Sequence, residues 1–263
     1  MTQASSPTVV TPVAPPEHLE YVLRVGDNAL ILGQRLSEWC GHAPVIEEDL
    51  ALANMALDLI GQARLVLTHA GSLEGRGRDE DQLAFLRVER DYRNITLMEL
   101  PNEDFGRTVL RNFLASAFQV LLWSRLSTSA DAGLAAIAAK SLKEARYHLD
   151  HSAEWVIRLG DGTETSHTRM QAALDYLWPY TAEFFAPSPA DDAVQAAGIG
   201  PAWQALEGEW EAAVLPVLGE ASLTVPARTP FRSHGKFGRH SEHMGHLLAT
   251  MQYMQRTYPG ASW

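Results

Sequence analysis

The sequence predicts an all-α fold, a bundle of long helices forming one domain, and three observations lead there. Apolar residues recur at helical spacing through most of the chain, while alternating, strand-like runs are few. The periodic stretches are separated by turns that carry Gly and Pro. At 263 residues and 46% hydrophobic content, the chain can bury one sizeable core.

Taken in order, the first helix is expected over about 17–39 and is stopped by Gly41-His42-Ala43-Pro44, glycine ending one helix and proline opening the next segment. A second spans about 46–70 and ends at a loop over 71–77, and a shorter helix covers 80–93. Two long helices follow at about 104–126 and 130–159, the latter closed by Gly160-Asp161-Gly162. A sixth runs over 167–185 with a kink at Pro179. After a loop containing Pro and Asp come a seventh over 201–218 and an eighth over 240–258. Residues 1–16, rich in Pro, Ser, Thr and Val, are expected to form a disordered tail, leaving 17–263 as a single domain with no internal repeat.

Charge excludes some partners. With 21 basic against 32 acidic residues, a net charge of −11 and a pI near 5.3, nucleic acid and anionic membrane surfaces are poor partners. Of the basic residues only Lys140, Lys143 and Lys236 are lysine. Such an arginine bias suits planar ion pairs at protein interfaces, although genomic base composition gives the same bias. Cys40 is the only cysteine, so no internal disulfide forms and nothing points to an oxidising compartment. The N-terminus lacks the basic start of a signal peptide, and no charge-free apolar run approaches the ~20 residues of a membrane span. A soluble, cytoplasmic protein is expected.

Chemistry enters through a motif that is almost complete. A ferritin-like di-iron bundle takes one carboxylate from each of two helices and Glu-x-x-His from each of two others. Lys143-Glu144-Ala145-Arg146-Tyr147-His148 lies where such a motif belongs, but three residues before His148 stands Ala145, and three after Glu144 stands Tyr147. The stretch 21–37 carries one acid, Asp27, and the stretch 50–73 carries one, Asp58, whose i+3 neighbour is Gly61 where an imidazole is required. The helix over 105–126 has no acid and carries Arg111, a cation that cannot ligate a metal but can replace one electrostatically. Each residue has a plain reading: a lone Asp or Arg in a helix usually faces solvent, and a buried His is more often hydrogen-bonded core than ligand. Together, Asp27, Asp58, Arg111, Glu144 and His148 in helix order describe a degenerate di-iron site, with Arg111 neutralising the three remnant carboxylates.

Longer motifs carry a resemblance. Trp39-Cys40-Gly41-His42-Ala43-Pro44, Asp49-Leu50-Ala51-Leu52-Ala53-Asn54, Leu57-Asp58-Leu59-Ile60-Gly61-Gln62-Ala63-Arg64, Lys143-Glu144-Ala145-Arg146-Tyr147-His148 and Gly235-Lys236-Phe237-Gly238-Arg239-His240-Ser241-Glu242-His243 resemble the C subunits of bacterial phenylacetyl-CoA 1,2-epoxidases over about 20–263. The resemblance implies a ferritin-like bundle that has lost its iron ligands and serves as structural partner of a catalytic di-iron A subunit in aerobic phenylacetate degradation. It further implies a small B subunit and a separate reductase carrying FAD and an iron–sulfur cluster and drawing electrons from NADPH. In this chain there is no glycine-rich dinucleotide fingerprint after a strand, and one cysteine cannot hold a cluster, so no cofactor of its own is expected.

The C-terminal third leaves alternatives open. His240, His243 and His246 recur every three residues, a weak metal pattern without a full ligand set. The basic loop before them, with Arg232, Lys236 and Arg239, is either plainly solvated or touches the A subunit or coenzyme A phosphates, with His240 and His243 beside it. Two functions of different class follow: a non-catalytic subunit of an oxygenase, or an independent di-metal oxidase in which Glu144 and His148 join Asp27 and Asp58. Gly61 and Arg111 favour the first. Stoichiometry, and whether the isolated protein is a homodimer, are left open.

Overall fold

In a computed structural model, residues 14–261 are described, and among them the structure is helical throughout, with one isolated bridge between His234 and Arg239. The elements are α1 (Pro16–Ser37), α2 (Ile46–Glu74), α3 (Glu80–Phe85), α4 (Thr96–Glu99), α5 (Phe105–Leu126), α6 (Ala132–Gly160), α7 (Glu164–Thr181), α8 (Pro189–Ala196), α9 (Glu207–Glu220), α10 (Glu242–Met251) and α11 (Tyr253–Thr257), with short 3-10 turns between some of them. Two hairpins, α1 with α2 and α5 with α6, form an all-α, ferritin-like bundle closed by contact of α2 with α6. Against it α7 packs on α5, α8 on α1, and α9 on both α5 and α6.

The core follows the periodicity. Val22, Val25, Ala29, Leu32 and Leu36 on α1 meet Leu52, Met55, Leu59, Val66 and Leu67 on α2, all buried. At the other end Phe118 stacks on Phe184, ring centroids 4.4 Å apart, and meets Trp203 edge-on at 4.9 Å. By length and composition α2 resembles a membrane span, but its inner face is packed on α1 as in the core helix of a bundle.

Several boundaries differ from the expectation. Of the expected tail, residues 1–13 lie outside the described ones; the Ala14 N–H donates to the Leu73 carbonyl at 3.2 Å, and α1 begins at Pro16. Gly71 does not end α2. A Cβ there would lie 2.2 Å from the Arg78 carbonyl oxygen, so this glycine admits a backbone crossing, and the helix stops at Gly75 in the left-handed conformation. The helix expected over 80–93 is broken after Phe85, because Arg87 turns inward to reach Asp27 and the Leu83 carbonyl. The loop expected after residue 185 holds an unforeseen helix, α8, capped by Ser188 and buried through Ala190 and Val194. Between 240 and 258 the helix is interrupted at Gln252, whose side-chain amide donates to the Arg87 carbonyl at 3.0 Å.

Candidate functional site in the polar seam of the bundle

Where α2 meets α6, polar side chains pair in antiparallel register. His151 Nε2 lies 2.8 Å from Glu48 Oε2, His148 Nε2 3.1 Å from Asp58 Oδ2, and Gln62 Nε2 donates to Glu144 Oε2 at 3.0 Å. At the far end His69 Nε2 stands 2.7 Å from Asp131 Oδ2. His148 is buried whereas the Asp58 side chain is 38% exposed, so this pair bridges core and surface. Burial holds the His148 imidazole below its ordinary pKa against the opposing pull of Asp58.

This seam collects Asp58, Glu144 and His148 but neither Asp27 nor Arg111. Asp27 is fully buried and paired with Arg87 through both carboxylate oxygens, and it accepts the Arg93 N–H at 2.8 Å. Arg111 donates to the Leu100 carbonyl and to Asn102 Oδ1. The expectation that Arg111 neutralises Asp27, Asp58 and Glu144 is therefore corrected: its register on α5 points it into the turn over 100–102. There burial, reinforced by nearby Arg35, pushes its pKa down to about 9. The cations beside the remnant carboxylates are instead Arg87 for Asp27 and Lys140 for Glu144, the latter at 3.6 Å.

Apart from Arg111, the buried polar side chains of α5 are neutral. Asn112, Ser116 and Gln119, spaced i, i+4, i+7, are buried, and Asn112 Nδ2 meets Met55 Sδ of α2 at 3.4 Å. Across the bundle α6 buries Ser141, Ala145, His148 and Ser152 on one face. Asn112 Oδ1, Ser116 Oγ, Gln119 Oε1, Ser141 Oγ, Gln62 Oε1 and His148 Nδ1 have no hydrogen-bond partner among the described residues. Sequence reading missed these residues because amides and hydroxyls are not metal ligands of interest, yet their helical spacing was visible.

As a di-iron donor set the seam is deficient. Among the described residues the buried carboxylates are Asp27, Glu74, Glu99, Glu183 and Asp191, none of them on α5 or α6. Each is already engaged: by Arg87, by Arg78, by His240, by the backbone N–H groups of Thr96 and Lys236, and by Arg24. Two irons need several carboxylates converging on one point. Here one imidazole, amides and hydroxyls line the interior, and these residues do not fit that centre.

The basic C-terminal loop divides in two. Lys236 is buried, its Nζ donating to the Ala186 carbonyl and lying 3.9 Å from Asp191, and burial lowers its pKa to about 8. His240 Nδ1 lies 2.7 Å from Glu99 Oε2, both side chains wholly buried. These two pin the segment to the bundle and are not available to coenzyme A phosphates, which corrects the expectation for them. Arg232 and Arg239 are exposed around a shallow hollow with Tyr180, Phe231 and His234, and His243 is half-buried at the start of α10.

Comparison with known proteins adds identity to this geometry. The family model described as phenylacetic acid catabolic protein matches residues 1–263, the whole chain. The chain belongs to this family. Its similarity to the C subunit of the 1,2-phenylacetyl-CoA epoxidase of Escherichia coli (strain K12) is 51% identity over 243 residues, covering 92% of this chain and 98% of that protein. The all-α bundle is thus that of a member of the phenylacetic acid catabolic family.

Proposed function

We propose that the chain is the non-catalytic structural subunit of a phenylacetyl-CoA epoxidase, pairing with a separately encoded di-iron catalytic subunit in aerobic phenylacetate degradation. The observation that carries this reading is the donor set of the seam, in which neither α5 nor α6 supplies a fully buried carboxylate, in a chain half identical to an epoxidase C subunit. In this reading the oxygen chemistry and its iron reside in the partner, with FAD, an iron–sulfur cluster and NADPH in the reductase and a small B subunit in the assembly. In this reading the complex is cytoplasmic.

A docking face supports it. Leu50 and Leu57 of α2 are 59% and 66% exposed, and Leu65 continues the stripe on the same side of the helix. On α6 the exposed ring of Tyr147 lies beside the His148–Asp58 pair. An apolar stripe on one of the longest helices is what a helix-to-helix subunit interface buries, and an obligate one exceeds ~2,000 Å² in total. The chain's own service is then positional: its rigid bundle holds the partner's helices so that their ligands keep their geometry.

Co-expression with the di-iron subunit tests this. The two chains should elute as one complex at micromolar concentration, and separate elution would overturn the assignment. The second reading, a di-metal oxidase using Asp58, Glu144 and His148, rests on the Asp58–His148 contact. It requires about two irons per chain retained after dialysis of the protein expressed alone.

A further inference from the structure

Away from the seam's centre, two imidazoles from two helices converge on one carboxylate oxygen at the start of a third. His18 of α1 and His69 of α2 place their Nε2 atoms 2.9 Å and 2.7 Å from the same Oδ2 of Asp131, which caps α6. The three ligand atoms lie within 4.8 Å of one another. We propose that His18, His69 and Asp131 form a binding site for one divalent cation of the zinc type, independent of any di-iron chemistry. Along α2, His69 is eleven residues beyond Asp58, roughly 16 Å at 1.5 Å per residue, so this site is separate from the remnant centre.

The carboxylate is built for two jobs. Its Oδ1 accepts the Leu134 N–H at 3.0 Å, and the Asp131 N–H donates to Ser129 Oγ at 3.0 Å, so the carboxylate is oriented by backbone while Oδ2 points at the imidazoles. Gly133 makes the room: a Cβ there would lie 2.7 Å from Cε1 and 2.9 Å from Nδ1 of His69. The side chains of His18, His69 and Asp131 are 11%, 20% and 9% exposed, enclosed but open to water from one side.

Two imidazoles and one carboxylate with water in a fourth position suit zinc, whereas calcium and magnesium want oxygen ligands. Without a cation both Nε2–H groups donate to Oδ2. On binding, each imidazole gives up its Nε2 proton, to its own Nδ1 in a neutral ring or to solvent in a charged one, and turns the Nε2 lone pair to the metal. Tetrahedral zinc at about 2.0–2.1 Å sets ligand atoms roughly 3.3 Å apart, so the site opens by about half an ångström from its hydrogen-bonded spacing. The bound ion ties the start of α1 to α2 and α6.

The test is calorimetric titration of the chelator-treated, full-length chain with zinc chloride. We expect one zinc per chain with micromolar or tighter affinity, weakened at least ~10-fold by His69→Ala and by Asp131→Asn, which keeps the helix cap. His148→Ala should leave the affinity unchanged. If His69→Ala misfolds by circular dichroism, His18→Ala in the first turn of α1 gives the same reading. Absence of one-to-one binding in the wild type, or unchanged affinity in the His69, His18 and Asp131 variants, overturns the proposal.

Discussion

His148 and Asp58 are joined across α2 and α6 at 3.1 Å, with the imidazole buried and the carboxylate at the surface. The histidine that sequence spacing places in a degenerate di-iron site is a hydrogen-bond partner within the bundle, its pKa lowered by burial. His240 is its opposite: burial works against its charge, but Glu99 at 2.7 Å outweighs burial and raises its pKa.

These two histidines give opposite pH signatures. His148, with a depressed folded pKa, contributes stability that is present above 6.5 and is lost as pH falls through the lower folded value. His240 contributes stability that is present below 6.5 and is lost as pH rises through its elevated folded value. Thermal melts at several pH values should show the gap between wild type and His148→Ala narrowing in acid. The gap to His240→Gln should narrow on the alkaline side. Parallel pH profiles for all three proteins would contradict both assignments.

Arg111 donates to two buried acceptors, so Arg111→Ala leaves the Leu100 carbonyl and Asn102 Oδ1 without it. At ~1–3 kcal/mol for each stranded acceptor, denaturant unfolding should record a loss of about 2–6 kcal/mol. Since no contact links Arg111 to Asp58, the double variant with Asp58→Asn should be additive within about 0.5 kcal/mol. A coupling well above that would restore Arg111 as counter-ion of the remnant site.

On α2, Leu57→Glu places a charge in the exposed stripe while leaving the core face untouched. The variant should keep its stability within about 0.5 kcal/mol yet lose the di-iron subunit on gel filtration. A variant that still co-elutes as tightly as wild type would move the interface elsewhere.

Long amphipathic helices were legible because their periodicity is repeated over many turns; 46–74 and 105–126 emerge nearly as expected. Short elements were not, because single tertiary contacts decide them: Arg87 reaching Asp27 breaks a helix that local preference would continue. For the site, three of five positions, Asp58, Glu144 and His148, meet along one seam. Asp27 and Arg111 fail for one reason: sequence can say that a charge in an apolar helix needs a partner, but not which loop supplies it. The same blindness hid Lys236 and His240, whose partners Asp191 and Glu99 are far away in sequence.

The most direct test of a structural, non-catalytic role is turnover of phenylacetyl-CoA by the reconstituted di-iron subunit, reductase and NADPH. Ring epoxidation should be absent without this chain and restored by it. The His148→Ala variant should restore it nearly as well, since that imidazole is engaged by Asp58. A His148→Ala protein that assembles normally but supports no epoxidation would contradict the account and place metal chemistry in this chain.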